Sequence, residues 1–317
     1  MYDVHTHFIP TEVIRWLREH QSLVQAEWNQ KEAKTSEFLR INGKWEFELK
    51  PYFLQENLYL QTQEQAGIRH SLVSPVPQLF LYELEPAITA ELAAVYNDSL
   101  VRWTRSHPAR LSALATLPLN RPEQAAAELE RAMNLGLRGA IVATSWQGHR
   151  LSDDCFAPFW EMANAKRAIV FLHPLLSTDP RLNRRMMPNL IGIPWETTVC
   201  ATDLVLSGTL ERYPDVKILL AHGGGYFPFQ LGRVQKGYET WPAVSTGVKQ
   251  SPKELARRFW YDSVLWSRDS LQLLISLVGE EKVVPGTDFP FDLCDFPPMI
   301  NGEKSFHRLL EADLSIH

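Results

Sequence analysis

The sequence predicts an α/β fold, a single (β/α)8 TIM barrel, and three observations carry that expectation. Short aliphatic or β-branched runs recur eight times, amphipathic stretches stopped by Gly or Pro separate them, and no Gly-x-Gly-x-x-Gly turn follows a run and opens a helix, as an open dinucleotide-binding sheet requires. The size is compatible, since 317 residues with 45% apolar content can bury one large core and barrels of this length form one domain. One domain is therefore expected over residues 1–317.

Taken in order, the strands are expected at Tyr2 to Val4, His70 to Val73, Leu111 to Leu114, Gly139 to Ala143, Ala168 to Leu172, Val216 to Ala221, Phe259 to Asp262 and Lys282 to Pro285. Between them, AAAELERAMNLG, FAPFWEMANAKR and LVLSGTLERYPD have the helical apolar period that crossovers between parallel strands need. The gap between the first two strands is too long for one βα unit, which takes about 30 residues. The surplus, about Ser22 to Tyr52, carries Asn42-Gly43 between short alternating runs and predicts an inserted hairpin, a lid over the barrel mouth or a surface ornament.

Composition narrows the function. A net charge of -5 without a Lys/Arg cluster argues against nucleic acid, leaving a small molecule as the expected partner. Cys155, Cys200 and Cys294 are odd in number and widely spaced, so neither a disulfide framework nor a cysteine metal knuckle is expected, and a reducing cytoplasm is. The opening MYDVHTH is not a targeting segment and no run reaches the ~20 apolar residues of a bilayer span, so a soluble, unprocessed protein is expected.

The chemistry concentrates at strand ends. His5 and His7 stand two apart in a short strand, and because strand side chains alternate faces, both imidazoles project to one side and can share an ion. His173, His222 and Asp288 each follow an apolar run, which in a barrel places them on the catalytic rim. His5, His7, His173 and Asp288 make a normal ligand set for one Zn²⁺ or a similar first-row ion, leaving a position for water or substrate. His222 is then the general acid/base beside the ion; the alternative exchanges the two roles, with His222 a ligand and His173 the base. A bridging carboxylated lysine, which two-metal barrels place after the fourth strand, has no counterpart, since that strand end reads GAIVATSW and the nearest lysine, Lys166, belongs to the next helix. One metal is expected.

The runs DVHTHFIP, FLHP, GIPWETT, AHGGGYFPFQLGR, FWYDS and PGTDFPF, spread from residue 1 to about 291, resemble the 2-amino-3-carboxymuconate-6-semialdehyde decarboxylase-like branch of the amidohydrolase superfamily. That resemblance implies loss of CO2 from a carboxylated aromatic or muconate-semialdehyde-like acid without an organic cofactor. It puts His5, His7, His173 and Asp288 on one divalent ion, zinc with manganese as the alternative, and gives His222 proton transfer with the metal-bound water. It further implies a homodimer in which Arg233 crosses the interface to bind substrate carboxylate, and it places Phe291 in the pocket.

This sequence departs from the family around the substrate. Phe47 stands where the family has a second carboxylate-binding arginine after its Gly-Lys hairpin, although Arg40, Lys44 or Lys50 could supply the charge. Trp266 replaces a histidine, Asn189 replaces a tryptophan, and the chain reaches Ile316-His317 about where the family adds a final barrel helix and tail. The leading expectation is a non-oxidative decarboxylase; the second is a hydrolase or hydratase acting on a lactone, amide or unsaturated acid. A binding protein without catalysis is disfavoured by the presence of His222.

Overall fold

The computed structural model describes residues 1–31, 34–43 and 46–311. β1 (Tyr2–His7) pairs in parallel with β2 (His70–Ser74), and β2 with β3 (Leu111–Ala113). β4 (Gly139–Val142), β5 (Ile169–Leu172), β6 (Lys217–Leu220), β7 (Trp260–Asp262) and β8 (Val283–Val284) follow in sequence order, each parallel to the one before. Two seams join these sheets into a ring. At one, Ala115 bridges Ala140, and the N–H groups of Arg138 and Ile141 donate to Ala113 and Ala115, each at 2.9 Å. At the other, Val4 N–H donates to the Pro285 carbonyl and His7 N–H to the Phe289 carbonyl, each at 2.8 Å. The expected barrel is thus present, with its strands in the order 1 to 8.

Every residue of β1, β4 and β5 is buried. Parallel barrel strands are covered on both faces, which is why they read as continuous apolar runs rather than alternating ones. β1 is the exception in composition, because it buries Asp3, His5, Thr6 and His7 beside only Tyr2 and Val4. The strand ends shift from expectation for local reasons. β1 continues past Val4 to His7, so both histidines are strand residues, while β8 stops at Val284 because Pro285 has no N–H to extend the ladder.

The crossover helices are Pro86–Ser106, Pro122–Asn134, Ala157–Ala165, Ile193–Leu206, Phe227–Thr240 and Arg268–Val278, with Glu56–Gln65 leading into β2. The stretch LVLSGTLERYPD is not one helix. It is split between Ile193–Leu206 and a short turn at Thr209–Arg212 by Gly208, whose φ of 76° leaves the helical region. Glu303–Leu310 supplies a helix after β8, with Phe306 against the Tyr2 ring at 4.6 Å, so the barrel closes with a helix that the sequence reading leaves out. Ile316 and His317 lie outside the described residues. Among the described residues no helix is long and apolar enough to cross a membrane, and Cys155, Cys200 and Cys294 are all free.

The insertion is larger than a hairpin. Ala26–Gln30, Glu37–Ile41 and Phe47–Glu48 form a three-stranded antiparallel sheet, with Trp28 opposite Leu39 and Leu39 opposite Phe47. Asn42 and Gly43 have φ of 51° and 64°, the paired positive values that a tight hairpin turn takes. Phe38, Ile41 and Phe47 of this sheet line the cavity over the barrel mouth, so the insertion is a wall of that cavity rather than an ornament. Lys44 lies outside the described residues.

Close strand approach sets one sharp requirement. Gly139, the first residue of β4, has φ of 143°, and a Cβ there would overlap the Ile169 carbonyl of β5. Gly139→Ala should therefore destabilise the barrel by about 3 kcal/mol or more, read as a lowered urea midpoint or loss of soluble protein. An unchanged midpoint would show that β4 and β5 can separate freely.

Candidate metal centre and active site

Four strand ends converge on one point. β1 carries His5 and His7, His173 follows β5, His222 follows β6 and Asp288 follows β8. The ring centroids of His5 lie 5.1 Å from those of His7, His173 and His222, and His173 lies 5.3 Å from both His7 and His222. Asp288 sits between them, with Oδ1 3.1 Å from His5 Nε2 and 3.3 Å from His7 Nε2, and Oδ2 3.5 Å from His222 Nε2. Sequence spacing thus located all five residues of the cluster. Ligand atoms offered by His5, His173, His222 and Asp288 lie within 4.8 Å of one another, a grouping that includes His222 where the sequence reading has His7.

The outer nitrogens separate these imidazoles. His5 Nδ1 faces Asp262 Oδ2 at 2.5 Å, His7 Nδ1 the Pro75 carbonyl at 3.1 Å and His173 Nδ1 the Pro174 carbonyl at 2.9 Å. A carbonyl or carboxylate oxygen can only accept, so each Nδ1 carries the proton and each Nε2 presents a lone pair. All three Nε2 atoms are buried without a hydrogen-bond partner, as is Asp288 Oδ1. Buried polar atoms left unpaired in this way cost free energy unless something fills the space between them, and a divalent cation fits these donors. His222 differs, because its Nδ1 has no partner and its Nε2 is the nitrogen that faces Asp288 Oδ2.

For His7 and His173 the electrostatics agree with that division. Burial, followed by the neighbouring His5 charge and the other rings, holds His173 well below its ordinary pKa, and burial lowers His7. Both are therefore neutral and free to donate a lone pair near neutral pH. Burial also opposes charge on His5, but Asp288 and Asp262 on either side outweigh it and push the ring up to about 10. Against the same burial, His5, His222 and His7 hold the Asp288 carboxyl well below the usual carboxylate range. The centre as built combines the Asp288 carboxylate, the lone pairs of His7 and His173, and a His5 Nε2 whose proton a bound cation would displace.

Backbone and supporting side chains hold this arrangement. His222 and Asp288 adopt φ of 52° and 60°, a left-handed conformation uncommon for residues with a Cβ. Asp288 is pinned by its N–H to the His5 carbonyl at 2.7 Å, and His222 by its N–H to Asp262 Oδ2 at 2.9 Å. Asp262 is a functional residue that motif reading missed as an individual. The run FWYDS contains it, but its bond to His5 spans 257 residues and leaves no local signal.

Above the cluster opens a cavity of about 1390 Å³ with His173, His222 and Asp288 among its lining residues. Phe291 lines it and meets the His7 ring at 5.2 Å, and Phe47 lines it from the inserted sheet, as expected of pocket residues. Trp266 lies parallel to the His222 ring at 6.2 Å, held by its Nε1–H to the Leu293 carbonyl at 2.6 Å. Of the cations proposed to replace the arginine missing at Phe47, Arg40 faces Glu27 at 3.6 Å and Lys50 is bound to Asp292 at 2.6 Å. Arg185, on the irregular segment after β5, also lines the cavity and has no ion pair among the described residues. No periodicity marks that segment, so the sequence did not single it out. Arg233 is exposed on helix Phe227–Thr240 and is not among the residues lining the cavity within its own chain.

Residues 2–301 match the Amidohydrolase family, Amidohydro_2. Over 320 residues the chain is 30% identical to a 2-amino-3-carboxymuconate-6-semialdehyde decarboxylase of Dictyostelium discoideum, covering 98% of this chain and 88% of that protein. In fold it resembles 5-carboxyvanillate decarboxylase from Sphingomonas paucimobilis, with a TM-score of 0.80 at 21% identity over 98% of both chains. It also resembles a dihydroxybenzoic acid decarboxylase from Polaromonas sp. JS666, solved with manganese and the inhibitor 2-nitroresorcinol, with a TM-score of 0.76 at 20% identity over 99% of both chains. The chain therefore belongs to the amidohydrolase family, in its branch of carboxy-lyases similar to 2-amino-3-carboxymuconate-6-semialdehyde decarboxylase.

Proposed function

We propose that this protein is a metal-dependent, non-oxidative decarboxylase of a carboxylated aromatic or muconate-semialdehyde-like acid. In this reading His5, His7, His173 and Asp288 hold one divalent ion and His222 is the general acid/base. The observation that carries it is the tethering pattern: three imidazoles have Nδ1 committed to an acceptor and Nε2 turned to the shared centre, whereas the Nδ1 of His222 has no partner. Tethered rings suit ligation, where orientation must be fixed. A ring with an uncommitted nitrogen, lining the cavity 3.5 Å from Asp288, suits movement of a proton. When bound, the ion supplies Lewis-acid stabilisation of developing negative charge and a lowered pKa for water. Three nitrogens and one carboxylate suit zinc, and the manganese in the Polaromonas enzyme supports that ion as the alternative.

The reaction requires one bond to break and one to form. As the carbon–carboxylate bond cleaves, its electron pair stays on the substrate carbon, CO2 leaves, and a proton must reach that carbon. His222 is placed to hold this proton, lining the cavity with its Nε2 3.5 Å from Asp288 Oδ2. Phe291 and Trp266, both lining that cavity, offer apolar surfaces to a planar substrate. Phe47 removes a cation from the inserted wall, so a monocarboxylate is preferred to the semialdehyde, whose second carboxylate would be desolvated against a ring. Free thiols at all three cysteines fit a reducing compartment such as the cytoplasm.

A homodimer completes the site in this proposal. Arg233 is exposed without an ion pair among the described residues, one helical turn from Phe229, an apolar side chain left 76% exposed at the cavity rim. A second copy packed there would cover Phe229 and could receive Arg233 as a bidentate carboxylate clamp.

Protein loaded with Zn²⁺ or Mn²⁺ should release CO2 from hydroxybenzoate-type acids with a higher kcat/KM than from 2-amino-3-carboxymuconate-6-semialdehyde. His173→Ala and Asp288→Ala should lose bound metal and activity together, whereas His222→Ala should keep the ion and lose about 10²-fold or more in turnover. No CO2 from any aromatic or dienoic acid, or full metal content in both ligand variants, would refute the reading. Mixing inactive Arg233→Ala chains with inactive His222→Ala chains should restore part of the activity, since one site of each mixed dimer retains both residues. No recovery after verified subunit exchange would return Arg233 to its own chain's surface.

A further inference from the structure

The apolar wall of the cavity has a direction. From the His7 imidazole, edge-on ring contacts step to Phe291 at 5.2 Å, on to Phe53 at 5.0 Å and on to Phe47 at 6.3 Å. These contacts make one continuous aromatic strip from the metal-ligand cluster to the inserted sheet, where Phe38 and Ile41 extend it along the same cavity. Phe53 is held almost fully buried, at 1% exposure, so the middle of the strip is fixed by the core and cannot swing aside.

Among the described residues, charge along the strip is already neutralised. Lys34 faces Glu48 at 3.1 Å, Lys31 is paired with Glu46, and Lys50 donates to Asp292 at 2.6 Å and to the Pro290 carbonyl at 2.9 Å. An anionic group laid here would give up hydration without gaining an uncommitted cation among the described residues. Arg185, the lining cation without an ion pair among the described residues, comes from the segment after β5, on a different stretch of chain. The volume, about 1390 Å³, also exceeds the ~300–1,000 Å³ of an ordinary small-molecule site. One carboxylated ring at the metal centre leaves most of the strip uncovered.

We propose that the substrate is an aromatic monocarboxylate bearing an extended apolar substituent, laid along the wall that Phe291 and Phe47 present and Phe53 backs from the core, with its carboxylate at the metal centre. This rests on the decarboxylase reading and adds the far half of the substrate. An unbranched hydrocarbon fits because it spans successive rings without presenting a polar atom, and each methylene removed from water adds binding.

The test is a series of 2-hydroxybenzoic acids carrying methyl, propyl or pentyl at ring position 4, given to the metal-loaded protein. Dissociation constants are measured by calorimetry alongside kcat/KM for CO2 release. Affinity should rise roughly fourfold per added methylene. Phe47→Leu should keep that dependence and Phe47→Arg should flatten it. Affinity that is flat or falls with chain length in the unaltered protein overturns the assignment, as does an unchanged slope in folded Phe47→Arg. Because binding is read separately from turnover, length-dependent affinity without any CO2 release would support the strip while refuting the decarboxylase reading.

Discussion

The Asp262 carboxylate is the contact on which the centre depends. It is fully buried at the end of β7 and accepts from His5 Nδ1 on β1 and from the N–H groups of His222, Gly223 and Val264. One side chain thereby orients the His5 imidazole and fixes the left-handed turn that carries His222. A buried carboxylate is costly unless its oxygens are satisfied, and removing it would strand four buried donors. The site and the stability of this end of the barrel are therefore one system.

Asp3 plays the matching part across the seam between β1 and β8. Its oxygens accept from His5 N–H at 3.0 Å and from the Thr287 hydroxyl at 2.6 Å, holding the segment that leads into Asp288. Burial pushes this carboxyl up to about 7 even with those donors. His5 is thus gripped through its backbone by one acid and through its ring by another, while Asp288 is tied back to the His5 carbonyl. The short β8 makes these ties necessary, since two ladder residues alone would not define where the following turn goes.

What the sequence revealed divides along the same line. The alternation of strand side chains makes His5-x-His7 a geometric statement, and apolar runs ending at His173, His222 and Asp288 place polar groups on the rim; both are local signals, and both located the cluster. Asp262 was not legible as a support, because its partner on β1 is remote in sequence. The extra strand at Ala26–Gln30 was missed because its alternation is weak and most of its side chains are partly or fully exposed. Arg185 lies in irregular chain where no period exists to read. Phe47 was identified as a departure from a motif, but the aromatic strip it ends is a tertiary feature. The general pattern is that strands hold the reactive machinery, whereas inserted and connecting segments shape the cavity.

The division of labour among the four histidines is most directly tested by a crystal structure of the metal-loaded protein, with the ion located by its anomalous scattering. The account predicts one ion within bonding distance, about 2.0–2.2 Å for zinc, of Nε2 of His5, His7 and His173 and an Asp288 oxygen, with His222 outside that shell. An ion bonded to His222 with His7 left out would contradict it.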